Sequence, residues 1–194
     1  MGNVRLYGST SGYTELAPPA VAPDGVLSLP SGVGTLLTAE GGKVLQVVSV
    51  TKTDTFTTSS TSFTDITGLT ATITPSSTTS KIFVIAMTSG CQQVGACSLD
   101  LRIVRDATAI AIGDEAGSRI RATVRMNSAD LKHQESASMS TLDSPATTSA
   151  ITYAVQVQSS APTGSIVINR SFSDANNDSI SRTASTITVI EVSA

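Results

Sequence analysis

Lys81-Ile82-Phe83-Val84-Ile85-Ala86-Met87 is apolar on both sides of an extended chain: at a period of two, Ile82, Val84 and Ala86 share one side and Phe83, Ile85 and Met87 the other. Such a run reads as a strand in the middle of a sheet. Arg119-Ile120-Arg121-Ala122-Thr123-Val124-Arg125-Met126 is two-faced instead, with Ile, Ala, Val and Met opposite Arg, Arg, Thr and Arg, so one side belongs to a core. Outward from these two stretches, turn residues recur at the spacing of about 8–12 residues that sandwiches and barrels show. Strands are expected near 44–51, 54–58, 69–74, 81–88, 98–105, 107–113, 119–126, 136–142, 150–158, 164–169 and 185–192. The fold class that follows is all-β, an antiparallel, jelly-roll-like β-sandwich over residues 44–194. The only helix-like window, Ser128 to Gln134, has a lone Leu131 for an apolar stripe and supports at most one turn.

Composition agrees with one such domain. In 194 residues there are 29 Ser and 28 Thr, charged residues make up 14% and aromatic ones 4%, so the surface must be faced largely with small hydroxyls. The 40% hydrophobic content separates the chain from a disordered tail. A net charge of −3 gives no general attraction to phosphate backbones or anionic lipid, so neither nucleic acid nor membrane insertion is expected. No run of about 18 apolar residues occurs, and Met1-Gly2-Asn3-Val4 does not read as a secretion or anchoring signal.

Residues 1–43 differ from the rest. They hold four of the seven prolines, Pro18, Pro19, Pro23 and Pro30, with Gly8, Gly12, Gly25, Gly32, Gly34, Gly41 and Gly42, a density that forbids a helix. The expected form is an extended docking arm with brief strands: Val4, Leu6 and Tyr7 before a Gly-Ser-Thr-Ser-Gly turn, Tyr13 and Leu16 after it, and Val26, Leu27 and Leu29 further on. With so little apolar mass it must pack on a partner, and strand addition to another sheet edge suits it.

Parts for chemistry are few. Twelve of the 27 charged residues lie between Asp100 and Glu135. Arg119, Arg121 and Arg125, with Asp114 and Glu115, are candidates for charge pairing between subunits; a solvated face and a ligand groove are the other readings of the same cluster. Asp174, Asn176 and Asp178 place oxygens at alternate positions, as a calcium loop begins, but Ser179 stands where a glycine is required and Ser185 where a closing Glu is, so an Asx-rich turn competes with calcium. Cys91 and Cys97 are close enough in sequence to bridge, yet a chain assembled in a cytoplasm keeps its thiols reduced. His133 lacks a second ligand or a nucleophile nearby, and the sequons at Asn169 and Asn177 arise easily in so Ser-rich a chain. No catalytic residue, cofactor site or resident metal is expected, and the chain reads as non-enzymatic.

Several phrases carry a resemblance. They are Gly8-Ser-Thr-Ser-Gly-Tyr-Thr-Glu-Leu16, Ala17-Pro-Pro-Ala-Val-Ala-Pro-Asp-Gly25 and Leu27-Ser-Leu-Pro30 in the arm. Beyond it stand Thr61-Ser-Phe-Thr-Asp-Ile-Thr-Gly-Leu69, Ile73-Thr-Pro-Ser-Ser-Thr-Thr-Ser-Lys-Ile82, Ile103-Val-Arg-Asp-Ala-Thr-Ala-Ile110, Ile112-Gly-Asp114, Leu142-Asp-Ser-Pro-Ala-Thr-Thr-Ser-Ala-Ile-Thr-Tyr153 and Arg182-Thr-Ala-Ser-Thr-Ile-Thr-Val-Ile-Glu191. In order and spacing they resemble tail-fibre and other virion structural proteins of tailed bacteriophages, especially those infecting cyanobacteria. The resemblance implies a homotrimer located in the virion and assembled in the host cytoplasm, an arm that docks on other virion proteins, and a head that touches a host surface glycan or protein. Tail fibres of this kind repeat the arm motif many times, whereas it occurs once here. A short tail fibre or spike is therefore expected first and a capsid decoration protein second. A glycan-degrading tailspike is the enzymatic rival, with Asp100, Asp114 and Glu115 as its available carboxyls.

Overall fold

A computed structural model describes residues 44–92, 98–127 and 133–193 of this chain, together with the backbone of 4–7 and 13–16. The chain divides into two units, Met1–Thr38 and Ala39–Ala194. In the first, β1 (Val4–Tyr7) and β2 (Tyr13–Leu16) pair antiparallel, Val4 opposite Leu16 and Tyr7 opposite Tyr13. These are the first two arm strands read from the sequence; the third, with Val26, Leu27 and Leu29, lies outside the described residues.

In the second unit the strands are β3 (Val44–Lys52), β4 (Phe56–Thr58), β5 (Thr64–Ile73), β6 (Lys81–Gln92), β7 (Leu99–Arg105), β8 (Thr108–Ile110), β9 (Val124–Met126), β10 (Glu135–Asp143), β11 (Ile151–Ser159), β12 (Ile166–Ile168) and β13 (Ser185–Val192). All ladders are antiparallel. β6 is the axis of the larger sheet: β10 lies along one edge of it, β13 and then β12 along the other, with β3 outside β13 and β4 outside β12. The smaller sheet runs β5–β11–β7, and the far edge of β7 is shared by β8 and β9.

The core lies between the two sheets. Ile82, Val84 and Ala86 of β6 meet Ile187 and Val189 of β13 and Met139 of β10 from one side, and Ile66, Leu69, Leu101, Ile103, Tyr153 and Val155 from the other, in one buried cluster. Each large aliphatic side chain withdrawn from water contributes about 1.5–3 kcal/mol, and this cluster offsets the entropy of ordering a chain with no helix among its described residues. The expected β-sandwich is what the chain forms.

Several polar groups that close the sandwich are paired within it, while the buried Thr88 hydroxyl of β6 has no hydrogen-bond partner among the described residues. Tyr153 is fully buried and donates its hydroxyl to Asp143 Oδ2 at 2.6 Å, while Arg105 Nη1 donates to both oxygens of the same carboxylate at 2.8 and 2.9 Å. Burial first, then the bond to Asp143, push the Tyr153 phenol well above its ordinary range. Asn169 ends β12 in a left-handed conformation, φ 62°, and its buried amide donates to the carbonyls of Lys52 and Asp54 while its Oδ1 accepts from Ser185. Lys52 faces inward opposite Ser185, and its side chain reaches out to Asp54 at 2.8 Å.

Four expected strands are shorter than read, 54–58, 107–113 and 164–169 forming only Phe56–Thr58, Thr108–Ile110 and Ile166–Ile168, and the largest loss is at 119–126. Residues 119–126 alternate over their whole length, yet only Val124–Met126 forms a ladder, opposite Leu99–Leu101. Residues 103–105 of that edge are already paired with β8, so the chain before Thr123 has no edge left to join and runs as a loop.

Candidate functional site

Two surfaces of the second unit carry features that the core does not need. The first is the loop between β8 and β9. It turns at Ala111 (φ 53°) and Gly117 (φ 60°) and closes on itself, Gly113 N–H donating to Ala122 O at 3.2 Å and Arg121 Nε to Gly113 O at 2.7 Å. Asp114, Glu115, Arg119 and Arg121 are all exposed on it. Arg125 follows on β9 and forks onto Asp100, Nε to Oδ1 at 2.7 Å and Nη2 to Oδ2 at 3.0 Å; this bond raises the guanidinium above its ordinary value. An open cleft of about 510 Å³ lies beside the pair, lined by Ser118, Arg119, Ile120, Arg125 and Ser160.

Four of the five charges read from the sequence as one group share the β8–β9 loop, and the fifth, Arg125, follows on β9. Arg125 has its acid partner, Asp100, within the same chain, Arg121 caps a carbonyl, and Arg119 lines the cleft without an ion-pair partner among the described residues. Of the three carboxyls named for glycoside hydrolysis, Asp100 is buried and held through both oxygens by Arg125, while Asp114 and Glu115 are exposed on the loop.

The Asp174–Arg182 turn behaves as an Asx turn. Asn177 Oδ1 accepts from Ser179 N–H and hydroxyl at 3.0 and 2.6 Å, and Asp174 is held by Arg182 at 2.8 Å with Arg170 at 3.9 Å. Two arginines around one carboxylate disfavour a cation there, and among the described residues no group of three metal-ligating side chains occurs. Cys91 is a buried free thiol that burial pushes to a raised pKa and that donates to Arg170 O at 3.8 Å; Cys97 lies outside the described residues. His133 is exposed, and Asn169 is buried with its amide fully engaged, which closes that sequon to modification in the folded chain.

The second surface is the outer face of the larger sheet. Register sets Val47, Ile190, Phe83 and Leu142 side by side in one row across β3, β13, β6 and β10. Two further rows follow along the strands, Ser49–Thr188–Ile85–Ser140 and Thr51–Thr186–Met87–Ser138. The hydroxyls of Ser49 and Thr188 satisfy each other at 2.8 Å. None of these positions is charged. β6 sits centrally in its sheet as its two apolar sides predict, and the second of those sides is open among the described residues: Ile85 is 38% and Met87 40% exposed, and Val47 and Leu142 are 55% and 52% exposed. The sequence signal was that second side; what it lacked was the register that adds Val47, Ile190 and Leu142 to it.

No family model matches the chain, and no curated protein matches it. Among solved structures, the chain is similar to one described as the structure of infectious bursal disease virus Gt strain, at 14% identity and a TM-score of 0.37. The alignment covers 96% of this chain and 44% of that one, so the chain spans less than half of its length.

Proposed function

We propose that this chain is a non-enzymatic structural protein of a bacteriophage particle, acting as a homotrimeric short tail fibre or spike whose arm docks on other virion proteins and whose head meets a host surface glycan or protein. The observation that carries this reading is where the phage-like phrases fall. Thr61–Leu69 enters β5, Ile73–Ile82 is the β5–β6 connection, Ile103–Ile110 is the β7–β8 hairpin, Leu142–Tyr153 is the β10–β11 connection and Arg182–Glu191 enters and fills β13. In chain order these phrases fall on connections and strand starts of the sandwich, which supports reading them as one pattern, while Ile112–Asp114 lies in the β8–β9 loop. The binding of Asp100 by Arg125 weighs against the glycan-degrading alternative.

Capsid decoration is the second reading within the same class, because a single arm hairpin serves a capsid lattice as readily as a tail. Gold-labelled antibody against the head, applied to intact particles, separates the two: label at the tail supports the fibre or spike, label over the capsid supports decoration, and particles without label overturn the virion reading. Recombinant head incubated with host-surface polysaccharide should release no reducing ends; release would restore the enzymatic rival.

A further inference from the structure

We propose that the outer face of the larger sheet, centred on the Val47–Ile190–Phe83–Leu142 row, is the surface through which copies of this chain associate. The inference rests on the homotrimer reading and assigns it a surface. Three observations favour a second copy as the occupant. Three consecutive rows of this face hold six apolar residues and six small hydroxyls and no charge, the exposed Lys81 lying one row beyond Phe83, so copies of the chain meet over these rows without direct repulsion. Rows without charge are also poorly suited to selecting a partner of different chemistry, for which complementary charge is the usual means.

The second observation is continuity. The apolar row spans the sheet from the edge strand β3 to the edge strand β10, so contact made along it is not interrupted by a polar strand. The third is width. Four strands at ~4.8 Å give a face ~19 Å wide. Three flat faces of that width, arranged as a triangular prism, place each sheet ~5.5 Å from the axis, close to half of the ~10 Å at which sheets pack face to face. Three strands would bring the sheets to ~4 Å and overcrowd the axis, and five would leave them at ~7 Å around a void. Each face offers roughly 400 Å² as a flat projection, about half of what a standard interface buries per partner, so assembly should depend on concentration.

Sedimentation of the full-length chain across a concentration series tests this. Val47→Lys and Leu142→Lys are made together, both at exposed edge-strand positions where the fold does not require the apolar group. Thr61→Lys with Thr163→Lys adds the same charge at exposed positions outside this face and outside the β8–β9 loop. Circular dichroism and melting confirm that each variant is folded. The expected result is a wild-type trimer, a trimeric control, and a folded Val47/Leu142 variant that needs at least tenfold higher concentration to assemble. A Val47/Leu142 variant that trimerises as the wild type does overturns the assignment of this face and leaves the trimer standing. A wild-type dimer dissolved by those two lysines keeps the face and overturns the trimer, and a wild type that is monomeric throughout overturns both.

Discussion

Arg125 holds both carboxylate oxygens of Asp100, which is 1% exposed, from the neighbouring strand position where β9 meets β7. The acid lies inside and the base half outside, so the two partners are not equivalent. Removing the arginine leaves a buried carboxylate without its counter-charge, while water reaches part of the vacated space. Arg125→Ala should therefore lower stability by about 2 kcal/mol, less than a fully buried pair would lose. Arg121→Ala removes only an exposed bond to Gly113 O and should cost under about 0.5 kcal/mol. Equal effects in urea unfolding would contradict this account of the cluster.

The same cluster marks what the sequence could and could not convey. Strands with a strong alternation or a long aliphatic run, 81–92, 99–105, 151–159 and 185–192, were legible because burial on at least one face is written in every second residue. Residues 119–123 carry an equally good alternation but are a loop, since pairing depends on a free edge and β8 occupies it. β5 begins five residues before its expected start: Gly68, at φ 84°, reads as a turn, yet it sits inside the strand where the register with β11 shifts between Ala154 and Gln156. The Arg125–Asp100 fork and the extension of the open apolar side across β3, β13 and β10 were not legible, because both follow from cross-strand register, which no local pattern encodes.

Gly90 is the tightest point of the larger sheet. A β-carbon there would stand 2.6 Å from the Val167 carbonyl oxygen and 2.9 Å from Ile168 Cδ1, and the first of these is backbone that cannot step aside without breaking the β6–β12 ladder. Gly90→Ala should destabilise the domain by at least about 2 kcal/mol. Gly113→Ala, with open space at its β-carbon, should be nearly neutral. The pair measured by thermal unfolding checks the register of β12, since a shifted β12 would remove the difference.

The arm and the head should separate in function. Among the described residues the core cluster is drawn from residues 66–189, all within the second unit. A lone hairpin of two four-residue strands is marginal in water and gains stability when its edge is extended by another chain. Deleting residues 2–40 should leave a head with unchanged melting that no longer enters particles. Incorporation at the normal level would move the attachment surface onto the head.

Glu191 gives the head a defined response to acid. Its side chain faces the interior at the end of β13, where Oε1 accepts from Ser76 N–H at 2.8 Å and from the Ser76 hydroxyl at 2.6 Å, and Oε2 accepts from Gln46 Nε2 at 2.6 Å. Burial works against the charge, but these bonds and one from Ser80 outweigh it and hold the carboxyl at a pKa of about 2, against an ordinary 4.5. A carboxyl whose pKa is lower folded than unfolded stabilises the fold above the unfolded value and ceases to do so as it is protonated. The contribution should be complete above about pH 5 and decline as pH falls towards 2, by up to about 3 kcal/mol for this shift. Glu191→Gln keeps the shape but cannot accept at both positions, so it should be less stable than the wild type at pH 7 and show a flatter loss between pH 5 and pH 2. Denaturation midpoints measured at half-unit steps across that window check the sign. Parallel curves for the two proteins would place the acid sensitivity in another carboxylate and break the link between the β5–β6 connection and Glu191.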